Sequence, residues 1–136
     1  MDDNFLNTPL PPDLADLSAV QAAALAAAAR AAGFAVFELD GALMKAKPDL
    51  MAHIERALGF PGDFGRNWDA LVDYLGDMPN IHKNEKILVL VKNAPELAQA
   101  APALYADLRE TAGFACQNAR EWSGSRVLLK FAFITK

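Results

Sequence analysis

The sequence predicts an α/β protein: a small parallel sheet of three strands packed with helices, preceded by one extra helix. Two runs carry most of that prediction. KILVLV at 86–91 and VLLKFAFI at 127–134 are too uniformly apolar for strands with one wet face, and such strands are buried on both sides in parallel sheets. A third run, FAVFEL at 34–39, ends at the turn-forming pair Asp40-Gly41. The segments between the three are helical in pattern and much too long for hairpins, so the strands are joined by crossovers and run parallel. With 136 residues, 53% hydrophobic and 22% charged, the chain suits a single domain spanning 1–136 with one ordinary core.

Taken in order, residues 1–12 are expected to form a loose arm, because Pro9, Pro11 and Pro12 remove backbone donors and fix φ. Residues 13–33 read as the additional helix. Asp13 or Asp16 is the candidate N-cap, and Gly33 closes the helix at a position where a left-handed residue costs little. Ten of the fifteen residues from Ser18 to Ala32 are alanines, the strongest helix former. Leu50, Met51, Ile54, Ala57 and Leu58 recur with helical period between Pro48 and Gly59, giving a second helix. GFPGDFG at 59–65 breaks regularity. Helical pattern resumes at 95–123, divided near Pro102.

Net charge is −4, which argues against direct binding to nucleic acid or an anionic membrane and favours a basic partner. The single cysteine, Cys116, forms no intrachain disulfide, so a cytoplasmic location is expected. The proline-broken, acidic start is not a signal peptide. The alanine-rich run contains Gln21 and Arg30 and is too weakly apolar to span a membrane. His53 and His82 fall at polar positions and read as surface residues, Cys116 as a buried thiol. No ligand pattern for a metal and no cofactor motif appears.

The unusual stretch is DFGRNWDALVDYLGD at 63–77, with four aspartates and one arginine in fifteen residues. On a helical wheel Trp68, Leu71, Val72 and Leu75 share one arc, and Asp69, Asp73 and Asp77 advance along the edge and opposite side. Asn67 is a good N-cap, Gly65 is suited to an unusual backbone just before it, and Gly76 is the terminator. Like charges at i, i+4 repel, and carboxylates near a helix C-terminus oppose its dipole. Local rules broken together mark a functional surface, here one suited to arginine and lysine. A solvated helix face is the other account of the same spacing, and both stand at this level. Asp63-Phe64-Gly65 also spells the kinase magnesium motif, without its accompanying motifs. Carboxylates one helical turn apart do not flank a substrate bond as glycoside hydrolysis requires.

Phe64-Gly65 followed by Asn67-Trp68-Asp69-Ala70-Leu71-Val72-Asp73 resembles the signature of the barstar family of intracellular ribonuclease inhibitors, and the resemblance extends over 34–136. It implies a non-enzymatic inhibitor of a basic, barnase-like extracellular ribonuclease or ribonuclease-type toxin domain, without cofactor. Asp73 matches the family's central carboxylate, which occupies a phosphate pocket of the enzyme, and Asp69 the second acidic contact. By the same resemblance Asp63, Gly65, Asn67, Val72, Asp77 and Met78 belong to the partner-binding helix and its flanking loops. Aromatic residues common in the family stand here as Val72 and Asp63, and Glu121 lies out of register with a glutamate contact that some members supply from the last helix. A regulatory or immunity module of the same fold, or a small enzyme that binds no ribonuclease, is the competing expectation. Oligomeric state is open, since the N-terminal helix either covers the sheet in cis or offers a dimer surface.

Overall fold

The structure of the protein, a computed structural model, describes residues 3–135. Strand β1 (Leu14–Leu17) precedes helix α2 (Ala19–Ala31), strand β2 (Ala35–Asp40), a 3-10 turn (Gly41–Leu43) and helix α3 (Lys47–Ala57). Helix α4 (Trp68–Gly76), helix α5 (Met78–His82), strand β3 (Lys86–Lys92), helix α6 (Ala94–Ala100), helix α7 (Pro102–Trp122) and strand β4 (Leu128–Ile134) follow. Helix α1 (Asp3–Asn7) lies ahead of them all.

The sheet is parallel throughout but has four strands, not three, in the order β1-β4-β3-β2. The additional strand comes from LADL, four residues expected to begin a helix. Phe131 N–H donates to the Asp13 carbonyl (3.0 Å) and Thr135 N–H to the Leu17 carbonyl (2.8 Å), so these residues satisfy the outer edge of β4. Backbone pairing with a buried strand outweighs helix propensity in a segment this short. The cap of α2 is accordingly Ser18, neither Asp13 nor Asp16: its side chain accepts from Gln21 N–H (3.2 Å) and Gln21 Oε1 accepts from Ser18 N–H (2.9 Å), a reciprocal capping box. Nor is the segment before β1 a loose arm throughout. Phe5 and Leu6 of α1 are buried, with Ala22, Leu25 and Ala26 of α2, against Leu88, Leu90 and Ala132 of the sheet.

Alternation along β3 explains its unbroken apolarity. Ile87, Val89 and Val91 enter the larger core beneath α3 to α7, and Leu88 and Leu90 the smaller core beneath α1 and α2; side chains of successive strand residues point to opposite faces. On β4, Phe131 and Phe133 lie in the larger core and Ala132 in the smaller. Each large apolar side chain so removed from water stabilises the fold by about 1.5–3 kcal/mol.

Lys130 interrupts that pattern, being only 1% exposed. Its Nζ donates to Asp13 Oδ1 (3.1 Å), the Pro12 carbonyl (3.0 Å) and the Leu10 carbonyl (3.2 Å), and Arg120 of α7 donates to both oxygens of Asp13 (2.8 and 3.0 Å). Asp16 accepts two bonds from Arg109 of α7 (2.7 and 3.2 Å). The N-terminal segment is therefore fastened to β4 and α7 by charge as well as by pairing.

Both histidines are half-buried rather than on the surface, because each has a backbone partner. His53 Nε2 accepts from Asp40 N–H (2.9 Å), and burial, with Arg56 nearby, holds its pKa below the ordinary value. His82 Nε2 lies 2.7 Å from the Leu58 carbonyl. Cys116 is buried and free, its thiol pKa pushed up by burial, as a structural thiol requires.

Candidate functional site

Asn67 caps α4, its Oδ1 accepting from Ala70 N–H (2.8 Å). Leu71 and Leu75 are buried, and Trp68 and Val72 pack half-exposed beside them, so the amphipathic arc of the sequence is the face that holds α4 to the body. The loop before α4 is pinned by Phe60, Phe64 and Tyr74, whose ring centroids are 5.1–5.3 Å apart, an arrangement worth more than burial alone. Next to the cap the left-handed residue is Arg66 (φ 56°) rather than Gly65, and the Arg66 guanidinium is tied to Glu55 at 2.8 Å.

The four aspartates of the stretch do not form one set. Asp63 Oδ1 accepts the Tyr74 hydroxyl proton (2.6 Å), and that bond, followed by burial, pushes the phenol up to about 12. Asp77 caps the C-terminus of α4 and accepts from Asn80 Nδ2 (2.8 Å). Asp69 and Asp73 are one turn apart and exposed, and their carboxylates carry no hydrogen bond or ion pair to any described residue. Gly65 and Asn67 are exposed just ahead of α4, and Val72 lies beside the two free carboxylates. Met78, expected in the contact loop, is fully buried in the larger core. It has no surface to give a partner, because the turn at Asp77 leads directly into α5 and directs the Met78 side chain inward.

Helix α7 forms the other wall. A cleft of about 530 Å³ runs between Asp69, Val72 and Asp73 of α4 and Asp107, Glu110 and Phe114 of α7. A second, of about 460 Å³, continues past Asp73 and Gly76 to Asn118 and Trp122. Asp107 and Glu110 are exposed and, like Asp69 and Asp73, pair with no described residue, so four free carboxylates face one groove. A signal for this wall is visible in the sequence only in hindsight: Asp107, Thr111, Phe114, Asn118 and Trp122 are spaced three or four apart, one stripe of a helix. Glu121 lines neither cleft and accepts from Gln117 on its own helix (3.2 Å).

Such a groove attracts cations, and two carboxylate walls offer guanidinium groups bidentate partners. It contains no histidine or cysteine, and among the described residues no group of three or more His, Cys, Asp or Glu side chains could hold a metal ion. A larger cleft, about 640 Å³, lies on the opposite face between α2 and the sheet. It is the weaker site chemically, because its charges balance: Arg30 and Lys92 stand with Glu38 and Glu96, and Lys92 pairs with Glu38 at 3.4 Å. No helix among the described residues is long and apolar enough to cross a membrane.

Compared with known proteins, residues 34–133 match the family described as Barstar (barnase inhibitor). The match takes in β2 to β4 and both walls of the groove and leaves out α1, β1 and α2. No curated protein matches the chain.

Proposed function

The chain belongs to the barstar family, and on that premise we propose that it is a protein inhibitor of a basic, barnase-like extracellular ribonuclease, acting in the cytoplasm before the enzyme leaves the cell. Helix α4 and its flanking loops cover the enzyme's active site, with Asp73 in a phosphate-binding position and Asp69 one turn away. Neither catalysis nor a cofactor is involved. The observation that carries the proposal is the division among the aspartates: Asp63 and Asp77 are hydrogen-bonded within the chain, whereas Asp69 and Asp73 stay free on a helix held rigidly from behind. A carboxylate that costs the free protein repulsion gains it back when a cationic site docks over it.

Purified protein mixed with a panel of basic barnase-type ribonucleases, with RNA cleavage followed at low and moderate salt, tests this. Stoichiometric inhibition of at least one enzyme is expected, with association slowing as salt rises. Undiminished cleavage across the panel, or association indifferent to salt, overturns the proposal.

A further inference from the structure

Among the described residues two aromatic side chains are exposed, Phe114 (59%) and Trp122 (50%), and both stand on α7 beside Asp73. Single exposed apolar residues are ordinary on protein surfaces; Leu10, Val20 and Leu43 are examples here. What sets Phe114 and Trp122 apart is their placement. They are eight residues apart on one helix, hence on the same side and about 12 Å from one another along its axis. Phe114 lines the cleft that holds Asp69, Asp73, Asp107 and Glu110, and Trp122 lines the continuation past Asp73. Asp73 thus has an exposed ring on either side. A methyl group added at Gly76 would meet the Trp122 Nε1 at 3.7 Å, so the indole already rests on the end of α4.

We infer that Phe114 and Trp122 are the aromatic anchors of the partner-binding face, Phe114 taking the flat face of an arginine side chain from the basic partner while the groove's carboxylates take its edge. This rests on the inhibitor reading above and deepens it. A guanidinium is planar, with donors around its edge and weakly hydrated faces, so it stacks on a ring and pairs with a carboxylate at once; an ammonium cannot do both. The protein already does this internally. The Arg126 guanidinium lies 6.0 Å from the Trp122 ring centroid while its Nε is bonded to Glu85, and Arg109 lies 4.6 Å from the Phe133 centroid while bonded to Asp16. Phe114 carries no such partner among the described residues and is open to one from outside. The inference also accounts for Val72 and Asp63, which leave α4 and its loop without exposed aromatics: the rings that interfaces rely on are supplied from the facing helix.

The test uses the full chain and whichever enzyme of the panel it inhibits most strongly, with dissociation constants for Phe114→Ala, Phe114→Leu, Phe114→Tyr, Trp122→Ala, Asp73→Asn and the remote control Val20→Ala. Phe114→Ala and Trp122→Ala are expected to weaken binding about tenfold or more, mainly through faster dissociation, and Phe114→Ala to leave thermal unfolding unchanged. Phe114→Leu should fall with Phe114→Ala, Phe114→Tyr should bind like the parent, and Val20→Ala should be silent. If Phe114→Ala and Trp122→Ala bind like the parent while Asp73→Asn does not, the inference fails and the inhibitor reading survives. Parent-like binding by Phe114→Leu overturns the stacking of guanidinium on ring. If Asp73→Asn also binds like the parent, or no enzyme is inhibited, both are overturned.

Discussion

Asp13 and Asp16, at the N-terminal edge of the sheet, and Asp69 and Asp73, on α4, are two pairs of aspartates with opposite surroundings. Asp13 is nearly buried between Arg120 and Lys130, and Asp16 is gripped by Arg109. Asp69 and Asp73 face water with a second acidic wall opposite. One pair serves the fold, since Lys130 is buried and its charge is tolerable only when compensated. The other pair costs the fold a little and is held ready by Asn67, Leu71 and Leu75 behind it. Counting acidic residues along the sequence does not separate these roles; what lies within hydrogen-bond reach does.

The sharpest way to break this comparison is to remove one carboxylate from each region. Asp13→Ala leaves Lys130 buried without its counter-ion and should destabilise the protein by about 3 kcal/mol, read from urea unfolding. Asp16→Ala, at a half-exposed pair, should cost no more than about 1 kcal/mol. Asp73→Asn should stabilise by about 0.3 kcal/mol, because a like charge and an unfavourable dipole contact disappear. If Asp13→Ala costs no more than Asp16→Ala, the buried cluster does not fasten the N-terminal segment as described.

A smaller effect separates the aspartates within the acidic stretch. Asp63 holds the Tyr74 phenol, whose pKa is raised to about 12 from the ordinary 10.0. In Asp63→Asn the tyrosinate absorbance of Tyr74 should therefore develop at lower pH, while binding to an inhibited ribonuclease changes far less than in Asp73→Asn. A Tyr74 titration unmoved by Asp63→Asn would put Asp63 back among the free carboxylates.

Much of this was legible in the sequence where one physical rule dominated. The strands β3 and β4 announced themselves because both of their faces are buried, and α4 because its cap, apolar arc and terminating glycine agree. The sheet's fourth strand was hidden because LADL is short and its aspartates imitate helix caps; only the vacant edge of β4, a property of the whole fold, calls it into a strand. The burial of Met78 was hidden for a similar reason, since resemblance places a residue in a loop but does not say which way it points. The α7 wall was missed because Asp107, Glu110, Phe114 and Trp122 lie in an ordinary amphipathic helix, and only its packing against α4 turns their stripe toward Asp69 and Asp73.

The central claim is that these two free carboxylates are the partner's contact points, and the most direct measurement is the dissociation constant of the complex with an inhibited basic ribonuclease for Asp69→Ala, Asp73→Ala and the double variant. Asp73→Ala should weaken binding by roughly 30-fold, about 2 kcal/mol, Asp69→Ala by less, and the double variant by more than either. A double variant that binds as tightly as the parent would contradict the account.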